Sequence, residues 1–316
     1  MNSRPGLPSG NDYRSTRDEF LDTFNDEFPE IQQKVRRDEI GGLDLIVERL
    51  DTFKRAISHP QLYEIYGVRP PRGFMLHGPP GCGKTYIARY LSEELGARFV
   101  DIPLSKYESK WVGQASESLT EYINMCRLYH AMTDTPVLLF FDEAEEAFKD
   151  RNLQGWHGPR VNVLLREMDG LSGDNKGLYF GAATNHLSKV DAALVRPGRL
   201  DHIIMFPEYT ADALSDVFNA IMIRLNRKSR HFNPFFLTPV DCDVLGSLAY
   251  EHRLTPAHVN GLFSDATSAK IKALCAYDKS KVVQKVDCLI TIDDLMVGFG
   301  VYDEFAVKNR GIGFVV

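Results

Sequence analysis

The sequence lacks the cysteine patterns of a zinc-binding or disulfide-bonded protein. Its five cysteines are scattered along 316 residues, and they form no CxxC pair. No histidines stand near them at the spacing of zinc ligands. The sequence therefore gives no indication of a structural metal or a disulfide framework, and reduced intracellular thiols are expected.

Long apolar runs are also missing. No stretch is long enough to cross a bilayer, so no membrane partner is expected. The first eleven residues are polar, contain two prolines and lack the apolar centre of a secretory signal peptide. These absences predict a cytoplasmic protein.

Basic residues are not concentrated anywhere, and the formal net charge is -6. A nucleic-acid partner is therefore disfavoured, because binding to a phosphate backbone depends on clustered Lys and Arg. The composition, 44% hydrophobic and 25% charged, is that of an ordinary globular chain with ample material for a core.

A glycine-rich loop follows the apolar run Phe74–Leu76 and precedes apolar residues at helical spacing, which predicts a strand, a loop and a helix. Glycines allow backbone N–H groups to approach an anion, a lysine reaches the outer phosphates, and a hydroxyl can bind magnesium. The sequence therefore predicts a nucleoside triphosphate site built from Gly78, Pro79, Pro80, Gly81, Cys82, Gly83, Lys84 and Thr85.

Two carboxylates, Asp142 and Glu143, end a continuous apolar run that begins at Val137. Such a run is typical of a buried parallel strand, and open α/β sheets bind their ligands at the carboxyl ends of the strands. Asp142 is predicted to hold magnesium together with Thr85. Glu143 is predicted to orient and deprotonate the attacking water.

Two arginines, Arg196 and Arg199, flank a Pro-Gly pair shortly before the apolar strand predicted at 202–206. Most arginines at such positions are surface charges. Beside a phosphate loop they favour an arginine-finger role, in which a guanidinium donates to the γ-phosphate as charge develops.

The pattern of elements changes after Pro207, where only helices are predicted: about 211–227, 241–252, one from Thr255 and one from about 290. The expected fold is therefore an α/β P-loop NTPase with a parallel sheet, followed by a small all-α lid domain. The predicted domains are an N-terminal extension (1–36), a nucleotide-binding domain (37–207), a lid (208–300) and a tail (301–316).

The N-terminal extension is expected to be disordered to about residue 14. From residue 15 to 37 apolar residues recur at roughly helical spacing, with an interruption at Pro29. The pattern allows a helix that packs on its own domain or one that docks a partner, such as an adaptor.

In the order and identity of its motifs, the sequence resembles the AAA clade of the AAA+ ATPases over roughly residues 37–300. The resemblance rests on Ile40-Gly41-Gly42, Walker A from Gly78 to Thr85, Walker B from Val137 to Glu143, the sensor 1 position Asn185, and a second region of homology from Thr184 to Asp201.

The resemblance implies a magnesium-dependent ATPase whose sites are shared between neighbouring subunits of a homo-oligomeric ring, usually a hexamer. Lys84, Thr85, Asp142, Glu143 and Asn185 would act within one subunit. Arg196 and Arg199 would reach the neighbour's ATP. Ile40, Gly41, Tyr66, Gly67 and Ala257 would contact the adenine, and Tyr86 would also contact the nucleotide.

The resemblance also places Lys110, Trp111 and Val112 in a pore loop that grips an extended polypeptide, and these residues look most like those of katanin and spastin. Trp156 and His157 would fall near a second pore loop. Composition alone leaves Trp111 as a core residue or an exposed one.

The function predicted is a ring-forming remodeller or unfoldase that threads a protein substrate through a central pore. One alternative is a nucleotide-switched assembly factor that recruits its partner through residues 15–37. A nucleic-acid loader is disfavoured by the acidic charge balance.

Overall fold

The structure of the chain is a computed structural model that describes residues 10–30, 34–68, 70–102, 114–148, 158–169, 177–229, 233–275 and 288–299. The chain divides into two compact units. The first contains the chain up to Lys34 with Arg49–Gly78 and Ala88–Met205, and the second contains Val35–Glu48, Pro79–Ile87 and the chain from Phe206 onward. The predicted domain boundaries stay predictions.

The first unit is built on a five-stranded sheet whose strands all run parallel, in the order β2-β3-β4-β1-β5. The strands are β1 (Gly73–His77), β2 (Arg98–Asp101), β3 (Val137–Phe141), β4 (Leu178–Thr184) and β5 (His202–Met205). All five residues of β3 are buried, as expected of a strand covered on both faces. The predicted α/β fold class is confirmed, and the carboxyl ends of the strands share one edge of the sheet.

Helices flank the sheet and connect its strands. They are α1 (Gly10–Glu27), α2 (Asp44–Ser58), α3 (Pro60–Ile65), α4 (Lys84–Glu94), α5 (Gln114–Thr133), α6 (Ala144–Ala147) and α7 (Gly158–Met168). The sequence analysis did not predict α5. Its signal was present, because Leu119, Ile123 and Cys126 are buried at the i, i+4 and i+7 positions of one helix face.

Helix α1 begins at Gly10, a turn before the expected start at residue 15, and packs on its own unit. Phe24 is fully buried, and its ring stacks on Tyr129 with centroids 4.3 Å apart. The buried Arg98 donates to the carbonyl of Phe28 at 2.5 Å. The aromatic face of this helix is thus covered by the chain itself, and an adaptor would have to use the opposite face.

The second unit is mainly helical. It contains α8 (Ala211–Lys228), α9 (Pro239–Glu251), α10 (Pro256–Cys275) and a last helix at 292–299. Thr210 and Thr238 cap α8 and α9, and Thr238 forms a full capping box with Asp241. Leu245, Phe218 and Phe263 lie at its core. The succession of helices predicted after residue 207 is confirmed.

Among the helices that the structure describes, none combines the length and the hydropathy that a bilayer-spanning segment requires.

Candidate functional site

The glycine-rich loop lies in the second unit and ends at the start of α4. Gly81 and Gly83 have φ angles of 75° and 94°, in the left-handed region that favours glycine. A β-carbon on Gly81 would also stand 2.8 Å from the Thr255 hydroxyl. Two of the three loop glycines are therefore required by the backbone conformation, as a phosphate-binding turn demands.

Lys84 curls back over this loop. Its side chain is almost fully buried, and Nζ donates to the carbonyl of Pro79 at 2.8 Å. The same ammonium lies 3.7 Å from the sulfur of Cys82. The Lys84 ammonium is thus already held at the loop, where it could donate to the oxygens of a bound phosphate.

Cys82 occupies the loop as a buried group. Burial raises the pKa of its thiol, an effect that outweighs the opposing influence of the nearby Lys84. A raised pKa leaves the sulfur as a neutral thiol at neutral pH, so it acts here as a small apolar side chain.

Four of the residues predicted to contact the nucleotide lie in the same unit as the loop. The Ala257 amide donates to the Gly81 carbonyl at 3.2 Å. The Tyr86 hydroxyl lies 3.4 Å from the carboxylate of Glu39, next to the buried Ile40. Gly41 sits against the backbone of α8 at Asp216. The structure brings these four predicted residues into one unit, whereas Tyr66 and Gly67 belong to the first unit.

Arg224 and Arg227 join this region from α8, and the sequence analysis missed both. The Arg224 guanidinium lies 5.6 Å from the centre of the Tyr86 ring, within cation–π range. Arg227 forms ion pairs with Asp38 and Glu39. No local pattern identifies these arginines, because Tyr86 lies 138 positions before Arg224, and Asp38 and Glu39 lie 189 and 188 positions before Arg227.

The carboxylates belong to the first unit, at the carboxyl edge of the sheet. Asp142 and Glu143 follow β3, and Thr184 ends β4. The amide of Gly78, which follows β1 and opens the glycine-rich loop, donates to the carbonyl of Thr184 at 3.3 Å. The edge that carries the acidic residues is therefore the edge from which the loop departs.

Asp142 has an acidic neighbour that the sequence analysis did not single out. Burial, and after it the charge of Asp142, raises the pKa of Asp101, which ends β2. Two carboxylates in one electrostatic environment favour a cation, and hard oxygen ligands suit magnesium. No cluster of three or more His, Cys, Asp or Glu side chains occurs in the described ranges. A magnesium ion held by one carboxylate, a hydroxyl and phosphates needs no such cluster.

Glu143 stands in a strained turn. Its φ and ψ are 51° and 47°, left-handed values that cost a residue with a β-carbon about 1 kcal/mol. Its amide donates to the Asp142 carboxylate at 3.0 Å, and its side chain is exposed. The turn thus leaves the carboxylate of Glu143 accessible to solvent, as a residue that activates water requires.

Glu145 positions the turn that carries Asn185. Its carboxylate is buried and accepts from the Asn185 amide at 3.1 Å. Burial opposes ionisation of Glu145, but hydrogen bonds from the Thr184 hydroxyl and from backbone amides outweigh it and lower the pKa. The sequence analysis assigned no role to this residue, although it lies in the Asp-Glu-Ala-Glu segment after β3.

The two predicted arginine fingers differ in environment. Arg199 makes a two-pronged ion pair with Asp169, at 2.9 Å and 2.8 Å, and donates to the carbonyl of Ala193 at 2.6 Å. The hydrogen bond from Arg199 to Asp169 is the main reason that the pKa of Asp169 is lowered. Arg196 is exposed. Arg196 is therefore the more available of the two for a neighbouring molecule.

The predicted pore-loop residues Lys110, Trp111 and Val112 lie outside the described residues, as do Trp156 and His157.

Comparison with known proteins extends these observations. Residues 74–208 match the model of the ATPase family associated with various cellular activities (AAA). The chain is 38% identical over 178 residues to protein SAV of Sulfolobus acidocaldarius, a match that covers 55% of the chain and 22% of that protein. It is 35% identical over 190 residues to cell division control protein 48 homolog C of Arabidopsis thaliana, covering 59% of the chain and 22% of the relative.

A third relative is the human ATPase family gene 2 protein homolog A. The chain is 32% identical to it over 233 residues, which are 69% of the chain and 25% of the relative. The chain thus spans a quarter or less of the length of these three relatives.

Proposed function

We propose that the chain binds ATP with magnesium and hydrolyses it, because residues 74–208 match the model of the AAA family of ATPases. The observation that carries this proposal is the shared edge of the sheet, where Asp142, Glu143 and Asn185 follow their strands and the glycine-rich loop begins at Gly78. A loop for phosphates and a group of acidic and amide side chains are the two parts that metal-assisted phosphoryl transfer needs.

The residues divide the work of hydrolysis among them. The loop amides and Lys84 bind the β- and γ-phosphates. Thr85 and Asp142 would hold magnesium, which supplies charge neutralisation on the phosphates when bound. Glu143 orients the attacking water and takes its proton. Glu145 supports the reaction by fixing the turn of Asn185, which would contact the γ-phosphate or the water.

We propose further that the ATPase works as a homo-oligomeric ring, with six subunits as the expected number. The exposed Arg196 is suited to reach the ATP of a neighbouring subunit, where such a residue contributes roughly 10³- to 10⁵-fold in rate. Arg199 is ion-paired with Asp169 and is suited to stabilise the conformation of the segment that carries Arg196. Both roles rest on the resemblance of the motif and on the contrast in exposure.

The output proposed for the ring is the remodelling of a protein substrate. It rests on the sequence Lys110-Trp111-Val112-Gly113, which is similar to the pore loops of katanin and spastin. An aromatic anchor can hold many kinds of side chain, as the gripping of an unfolded polypeptide requires.

Hydrolysis is tested with Glu143→Gln. We expect this variant to bind ATP and to lose about 10²- to 10⁴-fold in turnover, the contribution of a general base. Glu121→Gln, an exposed change on α5, serves as the matched control and should keep the wild-type rate. Brisk ATP turnover by Glu143→Gln would refute its role, and an inactive wild type would refute the proposed activity.

The shared site is tested by mixing two inactive variants. Arg196→Ala lacks the residue given to the neighbour, and Lys84→Ala lacks its own phosphate ligand. In a mixed ring a Lys84→Ala subunit can supply Arg196 to an intact loop next to it, so part of the activity should return. If no mixing ratio restores turnover, the site is not shared in this way.

A further inference from the structure

The hydroxyl of Tyr209 donates to the carbonyl of Cys82 at 2.9 Å. Tyr209 lies in the segment before α8, and its ring packs on the core of the second unit. Cys82 lies in the middle of the glycine-rich loop. Neither the motifs nor the spacing of the sequence points to this contact, because Tyr209 is 127 positions from its partner.

A second donor holds the preceding carbonyl. The amide of Ala257, at the start of α10, donates to the carbonyl of Gly81. Two consecutive carbonyls of the loop are therefore bonded to the segments before α8 and at the start of α10. In a trans peptide the C=O and the following N–H point in opposite directions, because the unit is planar. Fixing the carbonyls of Gly81 and Cys82 thus directs the amides of Cys82 and Gly83 away from these donors.

The loop needs such restraints because of its glycines. Glycine adopts positive and negative φ with similar ease, so a peptide next to Gly83 can rotate at little cost. A rotated Cys82–Gly83 peptide would present a carbonyl oxygen where a phosphate needs an N–H donor. The hydrogen bond from Tyr209 opposes this rotation.

We propose that Tyr209 is a positioning residue for phosphate binding, which holds the Cys82–Gly83 peptide so that the Gly83 amide faces the phosphates of the nucleotide. This inference rests on the proposed ATP site and adds a residue to it. The ligand class is a nucleotide with at least a β-phosphate, because the loop cradles phosphates and not the base. A tyrosine that only filled the core would act equally well as a phenylalanine.

The test is Tyr209→Phe, which removes one oxygen and keeps the ring. Tyr250→Phe makes the same change at an exposed position on α9 of the same unit and is the matched control. Dissociation constants for ATP, ADP and adenosine are measured with the full chain by titration calorimetry in the presence of magnesium. Circular dichroism of the free proteins checks that each variant is folded.

For Tyr209→Phe we expect the affinities for ATP and ADP to fall about tenfold, which corresponds to about 1.4 kcal/mol. Adenosine binding should stay as in the wild type, and Tyr250→Phe should match the wild type for all three ligands. Unchanged ATP and ADP affinities would overturn the inference, and so would an equal loss for adenosine.

The proposed function and this inference fail in different ways. If the wild type binds no ATP, both are wrong. If the wild type binds and hydrolyses ATP while Tyr209→Phe behaves like it, only the role of Tyr209 is refuted.

Discussion

Gly41 offers a direct test of the packing around the predicted nucleotide pocket. A β-carbon placed on Gly41 would stand 2.2 Å from the carbonyl oxygen of Asp216, 2.3 Å from its carbonyl carbon and 2.5 Å from the amide nitrogen of Val217. All three atoms belong to the backbone of α8, so no side chain can rotate away. Gly41→Ala therefore forces the Ile40–Gly42 segment and α8 apart by about 1 Å, judged from ordinary contact distances.

The cost follows from this geometry. Overpacking a buried site lowers the free energy of unfolding by about 1 to 3 kcal/mol, and a clash with helix backbone belongs at the upper end of this range. A loss of about 3 kcal/mol corresponds to a fall of roughly 6 to 12 °C in Tm for a domain of 150 to 250 residues. Because the clash is internal to the protein, the fall should appear without nucleotide.

The assay is thermal unfolding of the unliganded chain, followed by circular dichroism. Gly67→Ala is the control, since its φ is 65° but no atom lies within 4 Å of an added β-carbon. The free energy of unfolding of Gly67→Ala should fall by only about 1 kcal/mol, the cost of a left-handed φ for a residue with a β-carbon. A Gly41→Ala protein that is no less stable than Gly67→Ala, yet binds ATP weakly, would refute the argument and would mean that the space beside Gly41 serves the base.

Three further predictions concern the first unit and the proposed pore loop. Arg199→Lys removes the two-pronged pair with Asp169 and should lower the free energy of unfolding in urea by about 1 kcal/mol. The same change at the exposed Arg196 should alter this free energy by less than about 0.5 kcal/mol. Equal effects of the two substitutions would contradict the difference between the environments of the two arginines. Glu145 has a lowered pKa, so its contribution to stability is complete above its ordinary value of 4.5 and is lost as the pH falls through the folded value. Urea unfolding between about pH 3 and pH 6 should therefore show a weaker pH dependence in Glu145→Gln than in the wild type. Trp111→Ala should keep basal ATP hydrolysis and lose the processing of an unfolded model substrate, and unchanged processing would remove the pore-threading proposal.

Much of the fold was predictable because the relevant signals are local. The buried run at Val137–Phe141 identified a parallel strand, and Thr255-Pro256 marked the start of α10. Helix α5 shows that a local signal can also be overlooked, since its apolar stripe was available in the sequence. The N-terminal helix could not be assigned from its own residues, because an aromatic face packs equally well on its own domain or on a partner. Tyr129 and Arg98 decided between these possibilities.

The sequence by itself predicted the chemistry of the site. The glycines and Lys84 lie within one short segment, and the acidic pair directly follows β3. The residue types and spacing within these two segments suffice to predict a phosphate loop and a metal-binding carboxylate. Only the tertiary structure decided which residues hold these groups in place. Tyr209 on the Cys82 carbonyl, Glu145 on the Asn185 amide and Asp169 on Arg199 are contacts across 30 to 127 positions. A hydrogen bond depends on the distance between two atoms in space, and this distance cannot be inferred from the separation of the residues along the chain. These supporting residues can therefore be identified only from the folded structure.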